Sequence, residues 1–157
     1  MTINVPDPCR VLSDHDAEAA FGGRLSAGSR GPVPPGSAPI TPSCFWISNG
    51  PDPLGAVRVD LYGPPHGSDT YDGLLAESRK TISNLPIKPT TTSIPGIPSL
   101  AISDGYGVAF LVGGILARIT IQHARPGATS TSNGTYDIAG ALLVVPLAAR
   151  NIAALDH

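Results

Sequence analysis

Residues 99–122 read SLAISDGYGVAFLVGGILARITIQ, and this stretch decides the fold. Three apolar runs, 99–103, 106–112 and 115–122, are separated by Asp104-Gly105 and Gly113-Gly114. Glycine tolerates positive φ at no steric cost, so both dipeptides suit tight hairpin turns. In the last run Ile115, Ala117, Ile119 and Ile121 alternate with Leu116, Arg118, Thr120 and Gln122. A period of two places one set on each face of a strand. The stretch therefore predicts an antiparallel meander with one apolar face.

The same alternation recurs upstream. Over residues 56–62, Val57, Val59 and Leu61 point one way and Arg58, Asp60 and Tyr62 the other. Residues 43–48 read as a further strand, joined to 56–62 by a turn-rich segment. A helix is expected from Ser68 or Asp69 to Ile82, with Tyr71, Leu74, Leu75, Ser78 and Ile82 on one face. Residues 1–12 read as extended. Ser13 is a good N-cap for a short helix over 14–21, with Asp14 and Asp16 in the first turn and Gly22-Gly23 as its stop. Residues 24–42 and 83–98 read as irregular, proline-rich loops.

The segment 137–155 carries apolar residues at helical spacing, interrupted by Pro146. It reads either as one kinked helix or as a strand over 138–145 with Pro146 opening a helix. Ala139-Gly140-Ala141 is poor strand material and favours the helix. The order α-β-β-α-β-β-β-α predicts an α+β fold, one domain over 1–157. Its core is a single antiparallel sheet of about five strands with helices packed on one face.

Composition narrows the function. The chain has 157 residues, 41% hydrophobic and 14% charged, with 17 Pro and 18 Gly. A net charge of −2 and no basic cluster argue against nucleic acid as a partner. No stretch reads as a membrane span of ~18 apolar residues. The N-terminus lacks the basic and apolar regions of a signal peptide, so the chain reads as cytoplasmic or as the mature part of an exported precursor. Monomer and homodimer are both open.

Motifs of catalysis are missing: there is no G-x-S-x-G elbow and no S-x-x-K. Asp104-Gly105-Tyr106-Gly107 precedes a strand rather than a helix, so it is a hairpin and not a phosphate loop. His15, His66, His123 and His157 show no metal-ligand spacing, and no cofactor or metal is expected. Asn133-Gly134-Thr135 matches a glycosylation triplet that matters only in a eukaryotic secretory setting.

Cys9 and Cys44 are the only cysteines. They are either two reduced thiols or one disulfide. The even count and the loosely held loop between them favour the bridge, which would contribute about 4 kcal/mol by loop entropy. Pairing would mark an extracytoplasmic compartment; reduced thiols would leave the chain cytoplasmic.

The polar face of the sheet is the remaining candidate site. Arg58, Tyr62, Arg118 and Gln122, together with Trp46, are of types that make ligand or partner contacts. The competing reading is a solvated sheet face, which antiparallel sheets commonly have.

Three segments carry a resemblance: Cys9-Arg10-Val11-Leu12-Ser13, Ala17-Glu18-Ala19-Ala20-Phe21-Gly22, and Cys44-Phe45-Trp46. Together with the meander and the alanine-rich end, they resemble an actinobacterial family of secreted lipoproteins and extracytoplasmic sensor domains. The chain departs from that family in lacking a signal peptide and a lipid-attachment site, so export and anchoring are expected of a fuller precursor. The resemblance implies a non-enzymatic domain that binds a protein partner or small ligand, and transfers no catalytic residue. Two alternatives stand beside it. One is a small enzyme with a site assembled from His66, Asp60 and Arg118. The other is an accessory subunit, because residues 141–149 are apolar nearly all round.

Overall fold

The computed structural model describes residues 5–30, 43–48, 55–62, 90–96, 100–103, 105–124 and 135–155. The helix expected over 69–82, His66, His157, Asp104, and the Asn133-Gly134 step of the glycosylation triplet lie outside the described residues, as does most of both proline-rich loops.

The class is α+β, with an antiparallel sheet and helices packed against it. Helix α1 is Asp14–Phe21, and the strands are β1 Ser29–Arg30, β2 Ser43–Ile47, β3 Gly55–Tyr62, β4 Thr90–Thr92, β5 Ala101–Ser103, β6 Val108–Val112, β7 Ile115–His123 and β8 Thr135–Tyr136. The C-terminal helix α2 is Ile138–Leu155. The sheet runs β1-β2-β3-β7-β6-β5-β4, all antiparallel, with β8 also paired to β7. Among the described residues it has eight strands where about five were expected. The additional ones, β1, β4 and β8, are two or three residues long and lie in segments expected to be irregular. Strands that short have no periodicity of their own and form because a neighbouring edge pairs with them.

The meander is present with its boundaries shifted by one or two residues, β5 starting at Ala101 and β7 running on to His123. Gly113 and Gly114 take φ of 56° and 83°, the paired positive angles of a tight hairpin turn. The preceding strand begins at Val108 rather than Tyr106, leaving Tyr106 and Gly107 outside it. Residues 8–10 form a 3-10 turn rather than extended chain, because Asp7 accepts from the Cys9 N–H at 2.9 Å and caps it.

Helix α1 starts at a reciprocal capping box between Ser13 and Asp16 and ends at Gly22, with φ of 84°. Helix α2 is continuous across Pro146 over 18 residues, so the alternative of a strand before the proline is excluded. Asp137 precedes α2, and its Oδ1 accepts from the Gly140 N–H at 2.9 Å. By length and a mean hydropathy of 1.9, α2 reaches the size of a membrane span, contrary to the expectation that no stretch does. It packs here as a core helix: Ala141, Val145, Ala148 and Ile152 are fully buried.

Both described helices cover the same face of the sheet. Ala17 and Phe21 of α1 and the buried residues of α2 meet Val57, Val59, Leu61, Val108, Phe110, Ile119 and Ile121 in one cluster. Cys9 and Cys44 are joined by a disulfide that fastens the N-terminal turn to β2. Asn151 of α2 donates to the Val11 carbonyl at 2.7 Å, tying the two ends of the chain together.

Candidate functional site

The outer face is assembled by strand register. Asp60 of β3 stands between Ser43 and Arg118, and Arg118 also pairs with Ala109. One row along, Arg58 stands between Phe45 and Thr120. In the next row Ala56 lies between Ile47 and Gln122, and Gln122 pairs in turn with Tyr136. A row on the other side joins Tyr62, Leu116 and Leu111. Same-face neighbours in adjacent strands are near enough to touch, so these rows form one surface.

That surface is concave. Phe45, Ile47, Gly55, Ala56, Arg58, Asp60, Tyr62, Tyr106, Arg118, Thr120, Gln122 and Tyr136 enclose a cleft of about 510 Å³, within the size range of small-molecule sites. Gly107 sets part of its shape. A Cβ there would stand 2.9 Å from both the Ile119 carbonyl oxygen and Thr120 Oγ1, and 3.3 Å from Arg118 Nε. The Tyr106 and Tyr136 rings meet edge to face at 5.1 Å and form a wall.

The cleft holds two guanidinium groups and one carboxylate. Asp60 is only 3% exposed, and a buried carboxylate needs partners. It accepts from the Ser43 hydroxyl and, at 2.7 Å, from Arg58 Nε. Arg58 also lies over the Phe45 ring, its guanidinium carbon 5.1 Å from the centroid. These contacts fix one orientation for a side chain that remains 46% exposed.

Four of the five residues singled out from sequence line this cleft: Arg58, Tyr62, Arg118 and Gln122. Trp46 does not. It is fully buried on the opposite face, where its indole N–H donates to Asp14 at 2.8 Å. The reason is strand parity: Cys44 and Trp46 share a face, and Cys44 is turned inward to its disulfide. Phe45, Tyr106 and Tyr136 were missed. Phe45 was recoverable by the same parity; the two tyrosines sit beside glycine-rich or polar turns with no alternation to place them. The outer face is also less wet than expected, because Ile102, Ala109 and Leu116 form a second buried cluster with Tyr62 and Leu111 packed on it.

A second hollow of about 400 Å³ lies between α2 and the turn after β6. Among the described residues, Arg150 is the only charged side chain lining it. Of the residues suggested for an assembled enzyme site, Asp60 and Arg118 are register partners, while His66 is outside the described residues. Among the described residues, no group of three or more His, Cys, Asp or Glu is arranged to hold a metal ion. No protein-family model, no curated protein and no solved structure matches the chain.

Proposed function

We propose that this chain is a non-enzymatic extracytoplasmic binding domain, of the kind implied by its resemblance to actinobacterial lipoproteins. It holds a small ligand on the outer face of its sheet. The observation that carries this reading is the cleft itself. Polar groups with fixed orientation and aromatic walls converge in one concavity of about 510 Å³. A merely solvated face has no need of a guanidinium held between a buried carboxylate and a ring. The Cys9–Cys44 bridge is consistent with an oxidising compartment.

The test is a chemically varied fragment library, screened by ligand-observed NMR against the wild type and Thr120→Trp. Thr120 is half-buried in the floor of the cleft, and an indole there fills it. Fragments that bind the wild type and not the variant support the reading. A library in which nothing binds, or in which binding survives Thr120→Trp, contradicts it. Turnover of any compound, lost on substitution of Asp60, would favour the enzyme alternative.

A second reading, an accessory subunit, keeps one specific support. Leu143 of α2 is 80% exposed, and Ala139, Ala153 and Ala154 of the same helix are exposed as well. Association in solution that is abolished by Leu143→Ser would favour it.

A further inference from the structure

Resting on the cleft as the binding site, we infer that its ligand is an oxyanion carried on an apolar body, with Arg58 holding the anion. Charge gives the sign. Among the described residues lining the cleft, the one carboxylate is already occupied, and Arg58 presents a cation toward the opening. Asp60 is 3% exposed and accepts from both Ser43 and Arg58, so it is not available to pair with a cationic ligand.

Arg58 gives the geometry. Its Nε is spent on Asp60 at 2.7 Å, and its guanidinium carbon lies over the Phe45 ring. Among the described residues its two Nη groups make no hydrogen bond, while the side chain is 46% exposed. A guanidinium fixed at one edge and one face presents its remaining N–H groups as a planar fork. That fork matches the two oxygens of a carboxylate or phosphate. Because the fork is already oriented, little side-chain freedom is lost on binding.

The rim gives the body. Three large hydrophobic side chains are exposed among the described residues, and two of them, Ile47 at 44% and Tyr136 at 36%, line this cleft. They lie in one register row at either side of Ala56 and Gln122. Exposed apolar groups beside a fixed cation suit a ligand that is apolar beyond its charged end.

The experiment is calorimetric titration of the full chain with benzoate, phenyl phosphate, benzamide and benzylamine, alongside amide chemical-shift mapping. Benzoate or phenyl phosphate is expected to bind and to move the amides of Arg58 and Thr120; whichever is tighter identifies the oxyanion. Benzamide and benzylamine are expected to bind at least about tenfold more weakly, the scale of a charge-assisted hydrogen bond. Arg58→Gln is expected to lose a similar factor, with Arg58→Lys intermediate, both variants being shown folded at the titration temperature by their amide spectra. If benzamide or benzylamine binds in the cleft as tightly as the acids, or if Arg58→Gln binds the acids unchanged, the anion assignment is overturned while the cleft reading survives. If no compound moves a cleft amide, both are overturned.

Discussion

The indole N–H of Trp46 donates to Asp14 Oδ1 at 2.8 Å, and the backbone N–H of Gly28 donates to the same oxygen at 3.1 Å. One carboxylate in the first turn of α1 thus joins the helix, the β2 strand and the segment leading to β1. The Gly28 backbone hydrogen bond, then that of Trp46, hold the Asp14 carboxyl below its ordinary value of 3.8. A depressed folded value means the contribution is present above the ordinary value and lost as pH falls through the folded one. Thermal melts should therefore show Asp14→Asn less stable than wild type at neutral pH. The gap should narrow as pH falls below 3.8 and through the lowered folded value, as the wild-type carboxyl protonates. A gap that is unchanged in acid would show that the charge does not matter.

The disulfide closes a sequence separation of 35 residues across the proline-rich segment. Replacing both Cys9 and Cys44 by serine should cost about 4 kcal/mol on the loop-entropy estimate. Urea denaturation of the wild type, with and without reductant, and of the double variant measures this. The reduced wild type and the double variant should have similar midpoints, both well below the oxidised protein.

How much of this was legible beforehand follows from periodicity. Apolar and polar residues alternate over 57–62 of β3 and 117–122 of β7, so both their existence and their faces could be read. Four cleft residues came from that alternation alone. Strand β2 reads Ser-Cys-Phe-Trp-Ile, apolar on both faces, so its parity was ambiguous and Trp46 went to the wrong side. Taking the Cys44 bridge as an inward marker would have resolved it. The adjacency of β3 and β7 is a long-range pairing that no local pattern encodes. Pro146 obscured α2 because a proline removes a backbone donor, whereas the burial of residues on either side of it holds the helix together.

Close approach at Gly55 is a separate test of packing. A Cβ there would overlap the Gln122 carbonyl oxygen and reach 2.5 Å from Phe21 Cε2. Phe21 is itself stacked on His123 at 4.4 Å, so neither side can yield freely. Gly55→Ala should cost about 1–3 kcal/mol or more in chemical denaturation.

Helix α2 should respond according to its face. Ile152 is fully buried, and Ile152→Ala should cost about 2–5 kcal/mol. Leu143 is 80% exposed, and Leu143→Ser should change stability by no more than about 0.5 kcal/mol. Equal losses at the two positions would mean the helix presents a different face to the sheet.

Within the cleft, Asp60 and Arg58 are coupled by a hydrogen bond to a buried carboxylate. Asp60→Ala leaves the Ser43 hydroxyl and Arg58 Nε without their acceptor and should cost about 1–3 kcal/mol. Arg58→Gln removes the cationic partner of the buried Asp60 carboxylate and should cost about 1–3 kcal/mol in the same denaturation assay, while also weakening anion binding.

Whether the outer face is where this protein binds is tested most directly by mapping backbone amide shifts as a fragment mixture is added. The largest changes are expected at Arg58, Thr120, Gln122 and Tyr136, with Ala148 and Ile152 on the opposite side of the sheet unmoved. Changes confined to α2, or none anywhere, would contradict a binding cleft on the outer face.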